Sequence, residues 1–454
     1  MITWLPAARV CVRTAVAAAI LFGGTNATAT ELDYRLSLGA GHSDNVNRVS
    51  TGKVDQDIAT AGLRFSLAEN TARLQTDVVG NLAYYEYFDD AYDSELSGNL
   101  DANAMFALVP DRFTWSLGDQ FGQTLSEPFA TDTPDNRENI NYFSTGPDFM
   151  MALGSQMRLH LSGRYALADY EVSPLDSSSV GGQLALVRVL SARSTASLNA
   201  SLQQVDYDDA LNDDFDHSEV FLRYEGAGAR TNLTVDIGYG QLDLDSADDT
   251  QGGMALRVDA SRKISASSTL SFGAGHEFSN SAASFASGLG NSGMSAGTTP
   301  GRQTAEPFMH DHASLGWNYH RNLTGLGISA SYSKNSYESS PGLDETLTTF
   351  FAQYSRDISP TTSLRFSATR TGVGYETSAP DYDELIAEAL FSWRLSRLLT
   401  LEVKYDYSDR NGDNALTNYS ENRFWLSLGF GRGEPRSTRV PPSFGVDAQS
   451  PAGN

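Results

Sequence analysis

The chain has 454 residues, a formal net charge of −24 and a single cysteine, Cys11. So negative a charge argues against nucleic-acid binding, because Lys and Arg must neutralise the phosphates there. Beyond Cys11 the sequence offers no thiol for a disulfide, a metal ligand or a nucleophile.

The N-terminus predicts a secretory signal peptide over residues 1–29. Arg9 and Arg13 precede an apolar run at 15–22, and Ala27–Ala29 forms a small-x-small cleavage pattern. This apolar run is well short of the ~20 residues that a spanning helix needs, and no later segment approaches ~18 apolar residues. We therefore expect an exported protein without a membrane-spanning helix.

Beyond the signal, apolar and polar residues alternate, as they do in β-strands, where successive side chains point to opposite faces. The clearest cases are segments 74–84, 157–165, 385–395 and 399–407. Twenty such segments are centred near residues 36, 63, 78, 102, 117, 146, 162, 185, 200, 222, 236, 257, 273, 315, 330, 351, 367, 390, 404 and 426.

The connections between these segments alternate in length. Short turns such as 109–112 and 154–156 alternate with long loops such as 125–139 and 280–305. This pattern predicts an all-β fold over residues 30–432: a transmembrane antiparallel up-and-down β-barrel of about 20 strands (18–20). It would have short periplasmic turns and long acidic extracellular loops.

A soluble β-sandwich is the alternative, since its strands also alternate. However, a sandwich of this length would divide into domains, and no linker precedes Gly433. The charges also keep to one face of the strands, as in a barrel with lipid outside and water inside. Residues 433–454 contain four Pro and three Gly and predict a disordered C-terminal tail.

The apolar face carries aromatic residues near the strand ends, including Tyr84, Tyr165 and Tyr405 near the long loops and Trp393 near a short turn. Such rings favour the headgroup zone of a membrane. Asp119 also falls on this apolar face, which predicts either a bulge or a buried partner.

The polar face is expected to line a lumen. Twenty strands would enclose more space than side chains can fill, because 16 to 18 strands already leave an aqueous channel. Charges on this face either pair with one another or line a passage for a polar, partly anionic solute. The predicted pore-lining residues are Arg35, Arg64, Arg73, Asp77, Arg158, Arg164, Arg257, Arg365 and Arg394.

No motif in the sequence carries enzyme chemistry, since it shows no GxSxG nucleophile elbow at a strand-to-helix turn and no HExxH helix. The loop at 206–219 has seven carboxylates and no Lys or Arg. It is either a solvated rim or a divalent-cation bridge to lipopolysaccharide phosphates. His310 and His312 share a strand face but have no evident third ligand. We expect no catalytic, cofactor or metal site.

Four short stretches resemble one family of proteobacterial outer-membrane barrels. They are Gly39–Arg48, Trp115–Gln120, Thr133–Asn139 and Tyr419–Arg423. The family is found with exopolysaccharide and PEP-CTERM/exosortase loci, and its members are also described as β-barrel porins. The resemblance extends over the mature chain and implies a barrel associated with surface polysaccharide. It carries no catalytic residues over to this sequence.

These observations predict an outer-membrane porin of a Gram-negative bacterium that serves as a passage for exopolysaccharide export. A general diffusion porin and a non-conducting surface or assembly scaffold are the alternatives. The Ser- and Gly-rich loop 280–305 either folds inward as a plug or is a flexible external loop. Expected partners are outer-membrane lipid and lipopolysaccharide, the barrel-assembly machinery, and exopolysaccharide with its export components.

Overall fold

The computed structural model describes residues 31–89, 91–245, 250–291, 303–376 and 380–433. The predicted signal peptide and the predicted tail beyond Gly433 lie outside the described residues. The strands are β1 Glu31–Ser43, β2 Gln56–Asn70, β3 Leu74–Tyr87, β4 Glu95–Val109, β5 Phe113–Leu125, β6 Arg137–Ala152, β7 Met157–Tyr170, β8 Ser177–Ser191, β9 Ser194–Tyr207, β10 Phe215–Ala227, β11 Thr231–Leu244, β12 Thr250–Ser265, β13 Ser268–Ser279, β14 Phe308–Arg321, β15 Thr324–Ser336, β16 Glu345–Ser359, β17 Thr362–Tyr375, β18 Tyr382–Arg394, β19 Leu399–Gly412 and β20 Tyr419–Arg432.

The twenty strands form one antiparallel sheet that closes into a barrel, because β1 pairs with both β2 and β20. Leu38 lies opposite Ala61 on one side and Leu428 on the other. The predicted all-β barrel is confirmed, and each of the twenty predicted centres lies inside a different strand.

The two ends of the barrel differ in their connections. At the end that we call the short-turn end, two to four residues join the strands. Here Asn322 adopts φ 54°, a left-handed conformation that Asn tolerates better than most residues. At the other end, the long-loop end, the connections run from 5 residues (245–249) to 28 residues (280–307).

Alternation divides the wall into an outer and an inner face. Leu36, Leu161 and Ile328 are exposed on the outer face, where no other part of the described chain covers them. The residues between them point inward and carry most of the charges of the strands. An apolar exterior around a charged interior is the arrangement expected of a barrel in lipid.

Asp119 is the exception that the sequence indicated. It points to the outer face but is only 4% exposed, and the Nδ2 of Asn141 donates to its Oδ1 at 2.6 Å. The buried partner therefore satisfies a carboxylate that would otherwise be costly in an apolar surrounding.

A helix, α1 (Ser281–Asn291), follows β13. It belongs to the longest connection and lies inside the barrel. Within the described residues no helix is both long and apolar enough to cross a membrane.

Candidate functional site

The predicted lumen residues do not form one cluster. Eight of the nine lie in strands, in the phase opposite to the apolar outer positions. Arg73 instead precedes β3, in the exposed β2–β3 turn. Arg158, Arg365 and Arg394 are exposed and lie toward the short-turn end, whereas Arg164 and Arg257 lie farther along their strands.

Some of these arginines form ion pairs with carboxylates on nearby strands of the same inner face. Nη1 of Arg35 lies 2.7 Å from Oε1 of Glu402. Nη2 of Arg164 donates to both oxygens of Asp148, at 2.8 and 2.9 Å. Paired groups of this kind contribute little net field to the lumen.

Arg257 is the centre of an ion-pair network within the wall. Its guanidinium lies 2.9 Å from Asp236 and 2.8 Å from Glu277, and it also donates to Glu219. Arg223 shares Asp236 at 2.7 Å. Three carboxylates thus surround two guanidinium groups, and Asp236, at 1% exposure, is almost fully buried.

The long-loop end holds the arrangement that sequence reasoning missed. The β5–β6 loop, residues 126–136, folds inward across the lumen. Its Phe129 ring packs edge-on against Tyr375 at the end of β17, with centroids 5.1 Å apart. Counted through β1 and β20, β17 is eight strands from β5, or ~38 Å along the wall at ~4.8 Å per strand.

Arg410 of β19 holds the tip of this loop. Its guanidinium donates to the carbonyl oxygens of Ala130, at 3.0 Å, and Phe129, at 3.3 Å. The same group lies 3.5 Å from the ring centroid of Tyr382. Arg410 is only 4% exposed, so the tip of the loop is held by hydrogen bonds from a buried guanidinium group.

A second set of buried charges, which we call the latch, fixes the base of the loop. It comprises Arg48, Asp132, Arg137 and Glu421. Nε of Arg48 lies 3.0 Å from Glu421, and its Nη1 lies 3.3 Å from Asp132. Nε of Arg137 lies 2.6 Å from Asp132. The latch therefore connects the β1–β2 loop, the β5–β6 loop and the start of β20.

The latch sets the charge state of Asp132. Burial would raise the pKa of Asp132, but the guanidinium groups of Arg137 and Arg48 outweigh it and hold the pKa below its ordinary value. Asp132 therefore stays ionised at neutral pH, and both of its arginine partners are satisfied.

Three of the four family-like stretches meet at this place. Asp44 accepts hydrogen bonds from the backbone N–H and the side-chain amide of Asn422, each at 2.7 Å. Ser43 donates to Glu421 at 2.7 Å, and Asn45 donates to the carbonyl of Ser420 at 2.9 Å. These motifs, together with Arg137 in the third stretch, build the closure of the lumen.

A second segment folds inward from the opposite part of the wall. It comprises residues 280–291 and 303–307, and we call it the helical segment. Phe285 of α1, 1% exposed, packs against Ile140 of β6 and Tyr170 of β7. The hydroxyl of Tyr207 donates to the carbonyl of Ala305 at 2.9 Å. Of the alternatives left open for this loop, the inward one holds for these residues.

The wall accommodates the helical segment by bending β13. Pairing between β12 and β13 begins only at Leu256 and His276, although β12 pairs with β11 up to Thr250. Beyond this pair, toward the long-loop end, the side chain of Phe278 lies inward over Gly240 and Gly253. The end of the β13–β14 hairpin therefore lies inside the lumen rather than in the wall.

The two histidines singled out from the sequence share a face of β14. The rings of His310 and His312 are 5.1 Å apart, and His310 contacts Asn335 through Nδ1 at 2.7 Å. In the part of the chain that the structure describes, no three His, Cys, Asp or Glu side chains are grouped to hold a metal ion.

Comparisons with known proteins find a resemblance in structure alone. No family model and no curated protein matches the chain, so the family resemblance of the sequence stays a prediction. A ferric enterobactin receptor (PfeA) mutant from Pseudomonas aeruginosa aligns with TM-score 0.46 and 11% identity, over 90% of this chain and 81% of that one. The FrpB iron transporter of Neisseria meningitidis gives TM-score 0.46 and 8% identity, over 91% and 83%. The copper transporter OprC gives 0.44 and 13%, over 89% and 80%.

These proteins are a receptor and two transporters, not porins or exporters of polysaccharide. The prediction of a porin, for exopolysaccharide or for general diffusion, is wrong. The physical reason lies at the long-loop end, where the β5–β6 loop and the helical segment lie across the path that a porin keeps open. The closed wall with an apolar exterior remains. The protein is a β-barrel of the Gram-negative outer membrane.

Proposed function

We propose that the protein is a gated transport barrel, whose lumen carries a solute across the outer membrane after the β5–β6 loop moves aside. The observation that carries this proposal is the contact of Phe129 with Tyr375, eight strands away around the wall. A loop that only connects two adjacent strands at the edge of the barrel would not contact the opposite part of the wall.

The two inward segments differ in how they are held, and this difference indicates which one moves. The β5–β6 loop is held mainly by ion pairs and hydrogen bonds through Arg48 and Arg410, groups that water can solvate once the loop lifts. The helical segment is anchored by the apolar Phe285, whose exposure would cost free energy. The loop is therefore the gate, and the helical segment is a fixed constriction.

Orientation follows from the connections. An even number of strands places both chain ends at the short-turn end, and outer-membrane barrels keep short turns on the periplasmic side. The long-loop end, with the gate, then faces the outside of the cell. A solute arriving from outside would meet the gate first.

Conductance of the purified protein in planar bilayers with KCl tests the gate. The double variant Phe129→Ala/Arg410→Gln removes the seat of the loop tip and should spend much more time open than the wild type. The control is Arg370→Gln, which alters an exposed ion pair with Asp383 on the outer face and should gate like the wild type. Equal conductance of the wild type and the double variant would contradict the proposal.

Labelling tests the orientation, since no cysteine follows residue 29. Leu211→Cys lies in the β9–β10 loop at a position that is 92% exposed. It should react with an impermeant maleimide on intact cells. Ser155→Cys, in the exposed β6–β7 turn, should react only after the outer membrane is permeabilised. The reverse pattern would overturn the orientation.

A further inference from the structure

The outer face of the barrel carries arginines at the short-turn end. Four of them, Arg188, Arg262, Arg321 and Arg356, point outward, and we call them the rim arginines. The registers support this direction, since Arg188 lies opposite Met157, Arg262 opposite Leu270 and Arg356 opposite Leu364. Met157 and Leu270 are exposed on the apolar exterior.

The rim arginines have no counter-charge among the described residues, unlike Arg35, Arg164 and Arg257 of the lumen. All four are exposed, and none forms an ion pair with any residue that the structure describes. Arg321 and Arg356 both lie opposite Thr324 of β15, so their positive charges lie on the two strands that flank β15, with backbones about 10 Å apart. Charges of one sign so close together favour an anion between them.

Their surroundings are apolar. Large aliphatic side chains lie exposed within a few residues of each rim arginine; they are Leu190 (51%), Ile264 (53%), Leu323 (48%) and Ile358 (56%). The rim is thus the level at which the apolar exterior ends. Arginine stems can rest on the hydrocarbon there while the guanidinium groups reach the headgroup layer.

The two ends of the barrel also differ in the sign of their charge, and the positive charge lies at the end that carries the rim arginines. Further basic residues occupy the short turns, including Arg112, Arg193 and Arg230. The long loops are acidic instead, as in 208–214 between β9 and β10. An anionic ligand in the membrane is attracted to one end of the barrel and repelled from the other.

The geometry points to a binding belt for anionic phospholipids at the short-turn rim, with the rim arginines bound to headgroup phosphates. A guanidinium presents paired donors that match two phosphate oxygens. The apolar side chains beside it contact the acyl chains of the same molecule. A free anion would use only the first of these features, so the lipid is the ligand that fits both.

Lipid retention measured by native mass spectrometry tests the belt. The full chain is released from mixed micelles with equal parts phosphatidylglycerol and phosphatidylcholine. We expect the wild type to retain phosphatidylglycerol preferentially, by about fivefold for each arginine engaged, and to lose that preference as salt is raised. The quadruple variant with each rim arginine changed to Gln should retain both lipids equally.

Two further variants keep the test decisive. Arg370→Gln removes an outer-face arginine nearer the long-loop end, already paired with Asp383, and should keep the wild-type preference. If the quadruple variant does not insert, Arg321→Gln/Arg356→Gln should show a reduced preference. Equal retention of the two lipids by the wild type, or an unchanged preference in the variants, would overturn the belt. So would loss of phosphatidylglycerol to inorganic phosphate but not to chloride of the same ionic strength, since that would identify a free-anion site.

Discussion

The wall and the long-loop end of this barrel are built on different principles. In the wall, each residue's direction is set by its place in a two-residue repeat, and its partner lies on the adjacent strand, as Leu161 opposite Leu184. In the latch, Arg48 meets Asp132 and Glu421, which are 84 and 373 residues away in sequence. The wall is locally specified and tolerant, whereas the closure depends on a few distant, buried charges.

Removal of one cation of the latch gives the strongest test of whether buried charges hold the loop closed. Arg48→Met leaves Glu421, which is 2% exposed, and Asp132 without their shared partner. Breaking a buried pair by removing one member typically costs about 3–5 kcal/mol. We expect the closed position of the β5–β6 loop to lose a free energy of that order, measured as hydrogen exchange of the 126–136 amides. A loop as protected as in the wild type would show that the latch does not hold it.

A matched change shows whether burial is the cause. Arg370 and Asp383 form an ion pair on the outer face, but their side chains are 63% and 57% exposed. Arg370→Met should cost only about 0–1 kcal/mol. Comparable losses at Arg48 and Arg370 would contradict the distinction between a specified closure and a tolerant wall.

The wall itself is tested by placing a charge on each of its faces. Leu161 is 41% exposed on the outer face, and Leu161→Arg near the midplane should destabilise the barrel by about 2–4 kcal/mol. Arg164→Ser, three residues along the same strand in the lumen, should cost about 0–1 kcal/mol. Urea unfolding in bilayers measures both, and equal tolerance would refute the assignment of the faces.

The sequence predicted the wall because alternation is a local signal. Residues 157–165 show it without any knowledge of their neighbours, and β7 spans Met157–Tyr170. The short turns could be predicted from the same local pattern, and the predicted turn at 154–156 lies in the connection between β6 and β7. Asp119 could also be flagged as an exception, although its partner Asn141 could not be identified.

The closure could not be predicted by the same means. The stretches containing Arg48, Arg137 and Glu421 resemble the same family, but nothing in their spacing indicates that they meet. Contacts between distant loops depend on the curvature of the whole barrel, which no repeat encodes. For Phe285, the surrounding Ser- and Gly-rich sequence is compatible with either direction of the loop, and only packing against Ile140 decides.

A smaller effect is expected from acid. Because the folded-state pKa of Asp132 is lowered, its contribution to closure is present above its unfolded pKa of about 4 and is lost as pH falls through the folded value. The loop should therefore stay closed at neutral pH and open progressively below about pH 4. Conductance against pH measures this. Asp132→Asn should remove the part of the acid response due to this group, and an unchanged profile would assign the response elsewhere.

The smallest effect concerns ion selectivity once the gate is released. Arginines that line a pore favour anions, but Arg35 and Arg164 are paired, and around Arg257 three carboxylates face two guanidinium groups. The Phe129→Ala/Arg410→Gln protein should therefore prefer cations mildly. Adding Glu277→Gln balances the charges at Arg257 and should move the reversal potential toward anions. Screening over ~8 Å at physiological salt keeps this shift modest, and adding Arg370→Gln on the outer face should cause none. Anion preference before the change at Glu277 would mean that the arginines without ion pairs among the described residues, Arg158 and Arg365, dominate the field of the lumen.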